Sequence, residues 1–233
     1  MTGTLRKVRY DAARAGEELS AADARMKKLI ERVGPFALRL KPTHSTFEAL
    51  LESILYQQLH ARAARAIHAR VLDLFPEGVA TAEGLLGLSD DVLRAAGLSA
   101  GKLAALRDLA EKSLSGAVPN LAALHRMSDE EVCARLTQVR GIGVWTAQML
   151  LIFRMGRPNV LPVSDYGVRK GFALTMGNLR ASRTVGLADL PAAAVIERRA
   201  RKWQPWCSVA SWYLWRACDL AAEAETARDL RRP

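Results

Sequence analysis

Nine residues, Val139-Arg140-Gly141-Ile142-Gly143-Val144-Trp145-Thr146-Ala147, limit what this chain can become. They form a glycine-hinged turn that opens straight into a helix. Gly141 and Gly143 permit positive φ and a close approach of backbone to another group. Upstream, Ser128-Asp129-Glu130-Glu131 fits a capping box and starts the helix that enters the turn. Downstream, the first amides of the new helix are unsatisfied donors, a place where an anion is favoured. Twenty residues after Trp145 comes a lone acid, Asp165, within Leu161-Pro162-Val163-Ser164-Asp165-Tyr166. A phosphate grip followed by a placed carboxylate points to chemistry on nucleic acid.

Helix signals run through the rest of the chain. Ser45-Thr46-Phe47-Glu48 fits another capping box, and Phe47, Leu50, Leu51, Ile54 and Leu55 then share one face, a core stripe. Polarity changes at Gln57-Gln58-Leu59-His60, before an Ala- and Arg-rich helix that runs to Phe75. That polar loop with its leucine reads either as a plain turn or as a plug that fills a base stack when a base leaves it. Leu85 to Leu114 holds a helix, the turn Gly97-Leu98-Ser99 and a second helix from near Ala100, with Ser99 as cap. Leu103, Leu106, Leu109 and Ala110 supply its core face. Residues 1 to 20 show little periodicity and read as a tail or frayed helix; Lys27 to Val33 reads as a short helix ended by Gly34-Pro35. No segment sustains the two-residue alternation of a strand. The expected fold is all-α, on the order of ten helices joined by short turns.

A chain of 233 residues with half of them apolar can bury a sizeable core in one domain or two small lobes. A net charge of +10 and a pI of 10.0 favour polyanionic partners, although a solvated basic surface would give the same numbers. Cys133, Cys207 and Cys218 are three in number and lack any Cys-x-x-Cys pair. That argues against a disulfide framework, a structural zinc and an iron–sulfur cluster. His44, His60, His68 and His125 are scattered and do not read as a metal site. No apolar run reaches membrane-spanning length and the N-terminus lacks a signal peptide's apolar core, so a cytoplasmic protein without a membrane partner is expected.

The turn, the acid loop and Trp203-Gln204-Pro205-Trp206 together carry a resemblance. The chain resembles the helix-hairpin-helix superfamily of base-excision DNA glycosylases, and within it the 3-methyladenine DNA glycosylase II branch. That branch has a Gly-Ile-Gly-x-Trp-Thr-Ala hairpin, a Leu-Pro-x-x-Asp-Tyr catalytic loop and a Trp-x-Pro-Trp segment, all present here in that order. Gln57-Gln58-Leu59 stands where the family places its DNA-intercalating loop. The resemblance covers residues 40 to 220. It implies a two-lobed helical bundle with a helix-hairpin-helix motif, a Gly/Pro-rich loop bearing the aspartate and a DNA cleft between the lobes. The tail and first helix would occupy 1–40 and the glycosylase fold 41–225. Its central lobe would span 60–160, with the second lobe built from the N- and C-terminal portions together.

It also implies roles. Asp165 would stabilise the positive charge that develops on the sugar as an N-glycosidic bond breaks, or deprotonate water. Its spacing is equally that of a helix N-cap, and the two roles are compatible. Trp145 stands where lyase-competent relatives have the lysine that forms a Schiff base, so a monofunctional hydrolase is expected. Ordinary core packing is the alternative role for that tryptophan. Trp145, Tyr166 and Trp215 would line a pocket in which electron-rich rings stack on an electron-poor alkylated purine of the 3-methyladenine or 7-methylguanine type. Trp203 and Trp206 would sit in a structural turn. Gln58 and Leu59 would intercalate, and Gly141, Gly143, Val144 and Thr146 would face phosphate. The backbone carbonyls of Thr137, Val139 and Ile142 would hold a structural monovalent cation, Na⁺ or K⁺, with no other cofactor required. Arg169 and Lys170 read as DNA contacts or as solvated surface. The partner would be double-stranded DNA with damaged bases, bound by a monomer. Glycosylases for deaminated or etheno purines, and a non-catalytic module for damaged DNA, are the other readings.

Overall fold

A computed structural model describes residues 6–177, 186 and 189–229 of the chain. Two compact units emerge, one spanning Lys41–Leu150 and the other combining Thr2–Leu40 with Leu151–Pro233. The fold is all-α.

The first unit holds eight α-helices: α3 (Thr46–Tyr56), α4 (Ala61–Leu72), α5 (Ala82–Gly87), α6 (Asp90–Ala95), α7 (Ala100–Leu114), α8 (Leu121–Arg126), α9 (Asp129–Leu136) and α10 (Val144–Leu150). Starts are set by side-chain caps, with Ser45, Thr81, Ser89, Ser99, Asn120 and Ser128 each accepting from an amide of the first turn. The box at Ser128 closes in both directions, Glu131 N donating to Ser128 Oγ at 3.1 Å and Ser128 N to Glu131 Oε2 at 2.7 Å. At Ser45 it does not: Glu48 reaches past the cap and accepts from His44 N at 2.8 Å. Thirteen α-helices occur among the described residues, more than periodicity suggests, because α5, α6 and α8 have six residues each. A helix of that length never completes the two turns that make an apolar stripe visible. The core is the stripe of α3 (Phe47, Leu50, Leu51, Ile54, Leu55) with Leu103, Leu106, Leu109 and Ala110 of α7, all buried.

The second unit begins with β1 (Arg6–Lys7), α1 (Ala12–Ala22), α2 (Ala24–Val33) and β2 (Arg39–Leu40), the two short strands pairing antiparallel. It resumes with a π-turn (Leu151–Met155), α11 (Tyr166–Met176), α12 (Ala193–Ala200) and α13 (Cys207–Asp229). Residues 12–22 are thus a capped helix and not a tail. Asp11 accepts from Ala13 N and Arg14 N, and Ala15 and Leu19 are fully buried. The helix escapes a sequence reading because its apolar stripe is narrow and is completed only by tertiary packing against α2 and α13.

Asp23 ties this unit together. Its carboxylate, with only 3% of the residue exposed, accepts from Arg199 Nε and Nη2 at 2.6 Å each, Trp203 Nε1 at 3.0 Å and Arg25 N at 3.0 Å. Burial works against ionisation, but the guanidinium, indole and amide together outweigh it and hold the carboxyl at about 2. Nearby, Trp206 Nε1 donates to Glu18 Oε2 at 2.6 Å, so Trp203 and Trp206 both anchor the N-terminal helices from the turn before α13.

The folded pKa of Asp23 lies below its unfolded value of about 3.9, so its stabilisation is complete above pH 4 and lost as pH falls through the folded value. We expect urea unfolding of wild type and Asp23→Asn to differ by about 2 kcal/mol or more at pH 7, with the gap closing between pH 4 and pH 2. A gap that stays constant over that window would show that the carboxylate is not the stabilising form.

Candidate active site

The hairpin is set from the first unit's core outward. Val139 and Ile142 are buried, and Ile142 N donates to Val139 O at 3.0 Å, closing the turn. Gly141 adopts φ +80, which costs an L-residue about 1 kcal/mol or more. Gly143 does not have positive φ and a Cβ there would meet nothing within 4 Å, so both glycines are not needed for the same reason. The first turn of α10 shows Val144 at 55% and Trp145 at 44% exposure. Trp145 is therefore a surface aromatic rather than a core one. Thr146 is buried, so any contact it makes to an outside group would come from its amide, not its hydroxyl.

Helix α7 holds this turn and the polar loop after α3 in fixed positions. Arg140 N donates to Asp108 Oδ2 at 2.7 Å, and Lys112 Nζ donates both to Asp108 and, at 2.6 Å, to Gln138 O. Burial raises the Asp108 carboxyl, but the Arg140 amide and Lys112 ammonium prevail and keep it below the usual range. Near the start of α7, Lys102 Nζ donates to the Leu55 carbonyl in the last turn of α3, and burial lowers its ammonium. Gln57 Nε2 then spans to Gly141 O at 2.9 Å, joining loop and hairpin directly. Gln58 stands at φ +57, a strained setting for a side chain of its size, and presents Leu59 at 38% exposure. Sequence reasoning placed Gln57 in the loop but gave intercalation to Gln58 and Leu59, and it assigned no role to Lys102, Asp108 or Lys112; the contacts of Gln57 with Gly141 and of Asp108 with Arg140 span 84 and 32 residues.

Carbonyl oxygens are the hard donors that a monovalent cation takes. Of the three expected, Val139 O already accepts from Ile142 N. The carbonyls of Thr137 and Ile142 accept no backbone hydrogen bond among the described residues, so the donor set is compatible with such an ion.

In the second unit, Asp165 caps α11. Its Oδ1 accepts from Val168 N at 2.8 Å and from Trp215 Nε1 at 2.8 Å. The loop before it is tied to α13 by Ser208, fully buried, whose Oγ donates to Arg157 O at 2.6 Å and accepts from Val160 N at 2.9 Å. Trp215 is half-buried and stacked with Phe153 of the π-turn, centroids 5.4 Å apart and planes at 28°. Phe153 carried no sequence signal, because the extra residue of a π-turn re-aims a side chain that helical spacing would place elsewhere. Tyr166, at the first position of α11, is 45% exposed. Asp165 and Trp215 are thus in direct contact, while Trp145 belongs to the other unit. Arg169 is turned inward on its own unit, Nε donating to Pro191 O at 3.0 Å, so it reads as a clamp on the segment before α12.

The profile of the HhH-GPD superfamily of base excision DNA repair proteins matches residues 51–184. The chain belongs to this superfamily. Across 205 residues it is 33% identical to DNA-3-methyladenine glycosylase 1 of Schizosaccharomyces pombe, covering 87% of this chain and 86% of that protein. Two solved superfamily members superpose along most of their length. The 3-methyladenine DNA glycosylase of S. pombe in complex with abasic DNA gives a TM-score of 0.72 at 32% identity, covering 87% of this chain and 95% of that one. A DNA-3-methyladenine glycosidase of Bacillus halodurans gives 0.79 at 33% identity, covering 90% and 91%. For this HhH-GPD protein the matched span takes in the polar loop, the hairpin and the Asp165 loop.

The two hairpin glycines should separate under mutation. Gly141→Val should lose about 1–3 kcal/mol in urea unfolding because the turn needs positive φ. Gly143→Val should unfold within about 1 kcal/mol of wild type yet bind an abasic-site duplex less tightly, since its methyls would stand between the amide edge and a phosphate. Unchanged duplex affinity in folded Gly143→Val would rule the hairpin out as an anchor.

Proposed function

We propose that this HhH-GPD protein is a monofunctional alkylpurine DNA glycosylase of base excision repair. It extrudes a 3-methyladenine- or 7-methylguanine-type base from duplex DNA and hydrolyses its N-glycosidic bond. The observation that supports this best is Asp165, a carboxylate fixed at a helix N-terminus by two N–H donors to one oxygen. As the bond between the anomeric carbon and the purine nitrogen breaks, the electron pair leaves with the base and the sugar becomes an oxocarbenium ion. The Asp165 charge stabilises that ion, water adds to the anomeric carbon, and the water proton passes to the carboxylate or to solvent.

Trp145 occupies the hairpin position of a Schiff-base lysine, so the product is an intact strand with an abasic site. In the second unit the exposed ring of Tyr166 and the Trp215–Phe153 stack offer faces to an electron-poor base, and in the first unit Trp145 displays an aromatic face of its own. Leu59 and Gln58 fill the duplex where the base has left. The amides of Gly141, Gly143, Val144 and Thr146 grip a phosphate, and a monovalent cation on the carbonyls of Thr137, Val139 and Ile142 would add positive field there. The chain acts as a monomer in the cytoplasm; no helix among the described residues is long and apolar enough to cross a membrane.

Asn keeps the amide oxygen that Val168 N and Trp215 Nε1 need, so Asp165→Asn should unfold within about 1 kcal/mol of wild type. Excision of a neutral lesion such as hypoxanthine should fall at least about 100-fold, and of cationic 7-methylguanine by less. Full activity in the folded variant would reduce Asp165 to a cap. Borohydride treatment during turnover should trap no covalent protein–DNA adduct; a trapped adduct would make the enzyme a lyase.

A further inference from the structure

Trp215 meets the carboxylate edge-on. Its Nε1 lies 2.8 Å from Asp165 Oδ1, the oxygen that also accepts from Val168 N, and Phe153 is stacked on its ring. The indole reaches that place because residue 167 has no side chain. A Cβ there would stand 2.6 Å from Trp215 Cδ1, 3.0 Å from Trp215 Nε1 and 3.1 Å from Asp165 Oδ1. One turn on, a Cβ on Gly171 would stand 1.9 Å from the Leu214 carbonyl oxygen, so the backbone of α13 is seated directly against α11. Two glycines one turn apart on α11 therefore admit two consecutive residues of α13, and the second brings an N–H donor to the acid.

We propose that Trp215 is a positioning residue for Asp165, its indole N–H fixing the orientation of the carboxylate, and that Gly167 is the gap in α11 that makes this contact possible. The inference rests on the excision reading given above. Without the indole donor the carboxylate keeps more freedom about its side-chain torsions. A second donor from another helix, at an angle to the first, removes that freedom before the substrate arrives. Pre-set orientation matters because a charge misplaced from the developing oxocarbenium loses much of its stabilising effect.

The test is a double-mutant cycle on duplex containing 7-methylguanine, read by single-turnover excision. Trp215→Phe should lower the rate roughly 10-fold or more, the effect of one hydrogen bond to a charged group. In an Asp165→Asn background the same change should cost less than about twofold, because the indole then has no catalytic charge to orient. Affinity for an abasic duplex should be unchanged by Trp215→Phe in either background. A tryptophan isostere with sulfur in place of the ring N–H, 3-benzothienylalanine at position 215, should reproduce the Phe result if the shape of the ring is what folding needs. Gly167→Ala should do the same by displacing the indole. Equal losses with and without Asp165 would leave Trp215 as a wall of the base pocket only, with no positioning role, and overturn the proposal. A folded wild-type chain that releases no alkylated base would instead overturn the excision reading, and this inference with it.

Discussion

The close seating of α13 on α11 is the contact on which the second unit's chemistry depends. Helices normally pack with their axes 8–10 Å apart, held off by their side chains. Here Gly171 removes the side chain at the point of contact and the Leu214 carbonyl takes its place. That approach buries Val168 and Phe172 of α11 with Val209, Ala210 and Tyr213 of α13 in one core. It also decides where Trp215 can point. Because the seam is so tight, the tryptophan that follows Leu214 arrives beside the first turn of α11, where Asp165 is already committed to capping Val168 N. Stability and site geometry share one contact, so neither can be altered alone.

A comparable economy governs the first unit. Helix α7 is an ordinary core helix on its apolar face, yet its polar edge holds both functional turns. Asp108 and Lys112 take the backbone of the hairpin, while Lys102 takes the last turn of α3. Loops are where binding residues gather because a rigid scaffold can position them. Here the scaffold acts through the backbone of each loop, leaving Leu59, Val144 and Trp145 exposed. Three apolar side chains displayed near a basic protein's surface amides suit a partner that offers phosphate and stacked bases in turn. The strain at Gln58, a non-glycine residue at positive φ, belongs to the same pattern of conformation over-determined by its surroundings at a functional turn.

The acid itself illustrates why a local rule and a chemical role need not compete. Asp165 satisfies a first-turn amide as any N-cap would, and it is the placement of that cap, at the end of a loop pinned by Ser208, that gives the carboxylate a use. A charge at a helix N-terminus is stabilised where it stands. The scaffold thereby fixes a carboxylate where the proposed excision would use it.

The sequence alone determined the helical class, the helix starts at Ser45, Ser99, Ser128 and Asp165, and the identity of the two turns. Those features are written in neighbours a few residues apart: Ser128 with Glu131, Gly141 before Val144, Asp165 before Val168. Family membership was legible for the same reason, since the hairpin and the acid loop are contiguous strings. Tertiary structure decided everything that joins distant segments. Gln57 on Gly141, Asp108 on Arg140, Asp23 on Arg199 and Trp215 on Asp165 each span from 32 to 176 residues. The stack of Phe153 on Trp215 needed a π-turn that no periodicity announces, and α1 showed its buried face only once α2 and α13 covered it. The two hairpin glycines look alike in sequence, but only Gly141 is held at positive φ, because the backbone angle at each is set by where Val139 and Ile142 are buried. Local chemistry fixes which turn forms; packing at long range fixes what that turn can reach.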